Sequence, residues 1–184
     1  MRHLLRGAVG IAFLLYPFFV AYSLSQGQFI WVSCLLIILG VFRLVGKSNH
    51  LIWPLAGFSI LCGGLSLLLK NQQWLMLYPV FMSLGALLIF AMTLLKPPSM
   101  IERFARITQA DLPESGVIWT RKVTMLWCGF FSLNACVALF TVFYADLWLW
   151  TLYNGLISYL LMGTLLLGEF IFRKFHQRKN TASH

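Results

Sequence analysis

Charge is what this 184-residue sequence has least of, with only 10% of its residues Asp, Glu, Lys or Arg. An ordinary soluble domain carries about a quarter. Acids are scarcer still, five against fourteen Lys and Arg. So little polar surface excludes a globular core with a single anchor. The apolar share of 60% and a mean hydropathy of +0.81 point instead to one polytopic membrane domain. Metal-like or redox cysteine patterns are also missing. Cys34, Cys62, Cys128 and Cys136 lie in apolar runs with no C-x-x-C pair and no ligand-like spacing to histidine, so they read as small buried hydrophobes. His3, His50, His176 and His184 lie outside the apolar runs or at their ends, where none is placed as an axial haem ligand. No phosphate loop, serine-hydrolase elbow or paired catalytic carboxylates occur. No metal, no cofactor and no catalysis are therefore expected. The net charge of +9 reads as a topology signal facing anionic lipid rather than as a nucleic-acid surface.

What is there is a series of six apolar runs, over residues 7–24, 29–45, 51–69, 74–95, 123–143 and 147–172. Each is long enough to cross a hydrocarbon layer of about 30 Å. The predicted fold is all-α, a polytopic transmembrane helix bundle. The first run has small residues at Ser23-Leu24-Ser25 that suit signal cleavage. It is long for a signal peptide and is interrupted by Tyr16, Pro17 and Tyr22, which favours an uncleaved span. Six spans put both termini on one side. If that side is cytoplasmic, it collects thirteen of the fourteen basic residues and only Lys70 falls outside. Trp31, Trp53, Trp74, Trp119, Trp148 and Trp150, with Tyr78, Tyr144 and Tyr153, lie near run ends and are expected to form an interfacial aromatic belt. Leu15-Tyr16-Pro17 recurs as Leu77-Tyr78-Pro79, but little else aligns around it, so an inverted repeat of the transporter kind is not inferred.

The one long polar stretch is the 96–122 segment, expected on the cytoplasmic side. Lys96-Pro97-Pro98 stops the fourth run, and Ser99-Met100-Ile101-Glu102 then fits a capping box. The turns that follow put Met100, Ile101, Phe104 and Ile107 on one side and Glu102, Arg103 and Arg106 on the other. This predicts a short interfacial amphipathic helix, ended by Asp111-Leu112-Pro113, with a turn at Glu114-Ser115-Gly116. Glu102, Arg103 and Arg106 are candidates for docking a cytosolic partner. The tail from 179 to 184 is expected to be disordered.

The last two runs hold the polar residues that are costly in lipid. Asn134 sits near the middle of the fifth. Thr151, Asn154, Gly155, Ser158, Met162 and Glu169 recur at helical spacing along the sixth. One reading has Asn134 and Asn154 bonding across the hairpin to hold it together. The other makes Asn134, Thr151, Asn154, Ser158 and Glu169 a polar pocket for a ligand head group. Glu169 is the acid placed deepest in an apolar run, though Arg173 one turn later suits an ion pair with it.

At PPSMIERFAR, ADLPESGVIWTRKVTMLWCGFF and LWTLYNGLISYLLMGTLLLGEFIFR the sequence resembles a family of small bacterial inner-membrane proteins whose genes occur in clusters for aryl polyene and fatty-acid-like pigment synthesis. A fainter likeness, around Trp127–Phe131, is to the intracellular septation protein A family. The first resemblance implies a bacterial inner membrane and a place near lipid or polyene assembly, and brings no site residues with it. The expected function is a non-enzymatic component supporting lipid or aryl-polyene-type biosynthesis or export. Membrane lipids, and an acyl carrier or other biosynthetic protein recruited through residues 96–122, are its expected partners. The alternative is a small transporter or lipid flippase using the polar residues of the last two runs.

Overall fold

The computed structural model describes residues 15, 18–45, 53–71 and 73–181. Among them all regular structure is helical. Residues 18–25 form the described part of α1. Then follow α2 (Phe29–Val45), α3 (Trp53–Leu69), α4 (Gln73–Met76), α5 (Tyr78–Leu95), α6 (Met100–Thr108), α7 (Glu114–Tyr144), α8 (Leu147–Leu152), a π-helical turn (Tyr153–Ile157) and α9 (Ser158–Thr181). Three helical stretches, Gln73–Leu95, Glu114–Tyr144 and Leu147–Ile171, are long and apolar enough to cross a membrane; α2 and α3 are apolar but shorter. Residues 7–14 of the first predicted run, its Tyr16 and Pro17, and the turn at 46–50 lie outside the described residues. So does the side chain of Arg173, and with it the expected pair with Glu169.

The α2–α3 hairpin is closed by small residues. Ser33, Ser59 and Ser66 are fully buried, and Ala56 nearly so. Gly40 and Gly63 let the two backbones approach. A Cβ on Gly63 would meet the Ser33 carbonyl oxygen at 2.7 Å, and one on Gly40 would meet Ser59 Oγ at 2.5 Å. In lipid, where apolar burial gives no advantage, such close packing is the main force holding helices together.

Two helices depart from the expected outline. The fourth run is broken at Leu77, between α4 and α5. Pro79 has no N–H to give to the carbonyl one turn back, and its ring crowds that turn. At this break Trp150 Nε1 donates to the Met76 carbonyl oxygen at 3.1 Å. The fifth run is longer than its apolar part. Pro113 is extended at the N-cap and α7 starts at Glu114, where a turn was expected. Glu114 suits a helix N-terminus, and the polar residues up to Lys122 are compatible with helix, so hydropathy marked the apolar part and not the helix. At 31 residues, α7 is about 46 Å long, and its polar first turns extend well beyond a hydrocarbon layer. Residues 179–181, expected as disordered tail, continue α9.

Two clusters make the core. One gathers Val20, Leu36, Cys62, Leu75, Val142 and Trp150 near the Lys70 turn. The other lies towards α6 and is aromatic: Phe90 and Phe131 have ring centroids 5.2 Å apart, and Trp127 and Phe131 5.5 Å, geometries that favour the ring quadrupoles. The aromatic belt is therefore smaller than expected. Trp31, Trp148 and Tyr144 are exposed, whereas Trp150, Tyr78 and Tyr153 are buried. Trp150 is drawn inward because the Pro79 break leaves a carbonyl for its indole.

Close approach at Gly63 predicts a sharp contrast with its neighbour, whose added Cβ meets nothing within 4 Å. Gly64→Ala should leave the thermal unfolding midpoint in detergent unchanged or slightly raised. Gly63→Ala should lower it, by an overpacking cost of about 1–3 kcal/mol. Equal midpoints for the two variants would refute the close-packed hairpin.

Candidate functional site

Helix α6 is too short to stand alone in water, and its first N–H groups need partners from elsewhere. Three side chains supply them. Glu102 Oε2 accepts from the Ser99 N–H at 3.3 Å, Thr93 Oγ1 of α5 from Met100 at 2.9 Å, and Thr124 Oγ1 of α7 from Ile101 at 3.3 Å. The capping box closes from the Glu102 side; Ser99 faces the N3 amide, but its buried Oγ lies outside hydrogen-bond range of a partner. The helix has three sides rather than two. Ile101, Glu102 and Ala105 are buried against the protein, Phe104 and Ile107 are exposed on one side, and Arg103, half-buried, and Arg106, exposed, form the third.

The candidate docking residues are all engaged within the segment. Glu102 is only 5% exposed and pairs with Arg106, Nη2 to Oε1 at 2.8 Å. Arg106 Nη1 also donates to the Ala110 carbonyl at 3.1 Å, and Arg103 Nε to that of Pro98 at 2.9 Å. These contacts fold residues 96–110 onto themselves.

The polar residues of the last two runs fall into two groups. Asn134 and Asn154 are both buried, yet they bond to different partners and not to each other. Asn134 Nδ2 donates to Ser83 Oγ at 2.9 Å, and its Oδ1 accepts from Tyr153 OH at 3.0 Å. One amide thus ties α5, α7 and the π turn together. Asn154 Nδ2 donates to Thr141 Oγ1 at 3.1 Å and to the Trp150 carbonyl at 2.9 Å. Ser158 Oγ donates to the Asn154 carbonyl at 3.2 Å, and Thr151 Oγ1 to that of Leu147 at 2.6 Å. The π turn, closed by the Ser158 N–H donating to the Tyr153 carbonyl, is the reason the even spacing misled. Its extra residue shifts the phase of the helix by about 100°, so Ser158 and Glu169, about three regular turns apart along α9, share a face with each other but not with Thr151.

Glu169 belongs to a separate place. After the π turn α9 leaves α7, and between them runs a groove of about 360 Å³. Val123, Leu126, Trp127, Leu165 and Gly168 form most of its apolar wall, and Lys122 and Glu169 are the charged side chains in its lining. Trp127 Nε1 reaches Glu169 Oε2 at 3.5 Å, a long hydrogen bond that orients the carboxylate. Neither Lys122 nor Glu169 takes part in an ion pair among the described residues. The stretch Leu147–Ile171, which includes the first half of α9, is the least covered of the three long apolar stretches, 17% buried against 39% for each of the others, so the groove opens beside a stretch that faces outward. Among the described residues no group of His, Cys, Asp and Glu is arranged to hold a metal ion. The sequence pointed to Glu169 but missed Lys122 and Trp127, because a lysine at the edge of a polar segment and a tryptophan within an apolar run are both unremarkable one at a time. It also missed Thr93 and Thr124, whose signal was their position within one turn of the ends of the polar segment.

No family model, no curated protein and no solved structure matches the chain.

Docking of α6 on two threonines predicts a local effect of an isosteric change. Thr124→Val leaves the buried Ile101 N–H without its acceptor, a cost of about 1–3 kcal/mol. Hydrogen exchange of residues 100–108 should then quicken by roughly tenfold or more, and Thr124→Ser should restore protection. Unchanged exchange in Thr124→Val would show that the hydroxyl does not hold the helix.

Proposed function

We propose that the protein is a six-span bacterial inner-membrane protein with both termini cytoplasmic, and that it binds an amphiphile in the α7–α9 groove. On this reading it catalyses no reaction and supports lipid or aryl-polyene-type biosynthesis or export. The observation that carries the proposal is the groove itself. It has an apolar wall long enough for a hydrocarbon chain and two charged side chains for a head group, a combination typical of sites that take molecules with one apolar and one polar end. Lys122 directly precedes the fifth apolar run and Glu169 lies near the end of the sixth, so both belong at one boundary of the hydrocarbon layer, where head groups reside. The motif resemblance to proteins of polyene and pigment clusters supports a place near lipid or polyene assembly.

The segment from 96 to 122 has a framing role in this reading. Its short helix fastens the ends of α5 and α7, with Phe104 and Ile107 left to enter the lipid surface. The transporter alternative draws less support, because Asn134, Thr151, Asn154 and Ser158 are bonded within the helices or between them. Glu169 alone of that set faces the groove.

Gly168 supplies the test, since a Cβ there meets nothing within 4 Å. Gly168→Trp should fill the groove while the thermal midpoint stays near that of wild type. Lipid and pigment profiles of cells carrying Gly168→Trp should match those of a deletion strain, with finished product reduced or misplaced. A wild-type profile in the deletion strain would refute the biosynthetic role, and a wild-type profile in Gly168→Trp alone would remove the groove from it. The six-span topology is tested by an impermeant maleimide on intact cells, in a cysteine-free background. Lys70→Cys should label and Lys96→Cys should not; the reverse pattern would invert the topology.

A further inference from the structure

The two charges in the groove carry opposite signs, and this restricts the head group that it accepts. Resting on the amphiphile reading above, we infer that the occupant is a membrane phospholipid whose head group carries both a phosphate and a primary ammonium, the phosphate meeting Lys122 and the ammonium meeting Glu169. A fatty acid or a purely anionic phospholipid would satisfy Lys122 but bring its charge towards the Glu169 carboxylate. At the edge of a hydrocarbon layer, where the dielectric is low, that repulsion is costly. A neutral chain would leave both charges in the groove unpaired. A zwitterion compensates both at once.

Three further features fit. Among the described side chains Glu169 takes one long hydrogen bond, from Trp127, which leaves its carboxylate with acceptor capacity for a donor from outside. An ammonium bearing N–H groups supplies charge-assisted hydrogen bonds to it that a quaternary ammonium lacks. Finally, the groove lies against the outward-facing α9, so a lipid of the surrounding bilayer reaches it sideways without passing through water.

Native mass spectrometry of the delipidated full chain in detergent tests this. The probes are equimolar phosphatidylethanolamine, phosphatidylcholine and phosphatidylglycerol with identical acyl chains. Wild type should retain phosphatidylethanolamine about tenfold better than phosphatidylglycerol, with phosphatidylcholine between them. Glu169→Gln should bring the ethanolamine and glycerol lipids to parity, and Glu169→Asp should keep the preference. Lys122→Ala should weaken both. Because each preference is a ratio within one sample, a loss of stability common to all lipids cancels. Equal retention of the three lipids by wild type, or a preference untouched by Glu169→Gln, would overturn the head-group assignment while Gly168→Trp still expelled lipid. If Gly168→Trp changed nothing, or no lipid were retained at all, the amphiphile reading itself would fall.

Discussion

A backbone N–H or C=O in hydrocarbon has no water to bond to, and leaving it unpaired costs several kcal/mol. An unbroken helix avoids the cost, and at three irregularities among the described residues side chains supply the partners. At the Pro79 break the Met76 carbonyl receives the indole of Trp150, a residue far along the chain. Where α6 begins, Glu102, Thr93 and Thr124 accept three successive N–H groups. At the π turn, the carbonyls of Trp150 and Asn154 receive the side chains of Asn154 and Ser158. Thr93, Glu102, Thr124, Asn154 and Ser158 are used in this way, so their positions follow the irregularities of the backbone.

The same constraint separates structural from functional polarity. A polar side chain that closes a backbone break or joins two helices has an explanation within the fold. Asn134, with Ser83 on one side and Tyr153 on the other, is such a case, although an asparagine in mid-run is the residue that first suggests a ligand. Lys122 and Glu169 close no break. Their proximity to one apolar groove is the feature that the folding requirements leave unaccounted for, and for that reason the functional proposal rests on them.

The helical character and the apolar runs were legible because they depend on composition alone. The capping box at Ser99 and Glu102 was also legible, since it needs only local spacing. What could not be read were events that bring distant residues together. Hydropathy cannot show that Trp150 turns inward, because its acceptor at Met76 exists only once Pro79 has broken α5 from α4. Nor can regular spacing show a π turn: the count from Thr151 to Glu169 assumes 3.6 residues per turn throughout, and the extra residue between Tyr153 and Ile157 moves Ser158 and Glu169 together off the face of Thr151. The docking candidates failed to stand out for the opposite reason. Glu102, Arg103 and Arg106 look free in a linear segment, whereas the fold of residues 96–110 uses all three.

The π turn connects the structural and functional parts of the molecule. It sits where α8 is tied to α4 through Trp150 and to α7 through Asn154 and Tyr153, so the start of the last helical stretch is fixed. A change of phase just beyond a fixed point redirects the rest of the helix. Helix α9 thus departs from α7 instead of following it, and the space that opens becomes the groove. On this argument the groove is maintained by the Asn154 and Ser158 hydrogen bonds some way from it, and the polar residues that first resembled a binding site act by holding one open.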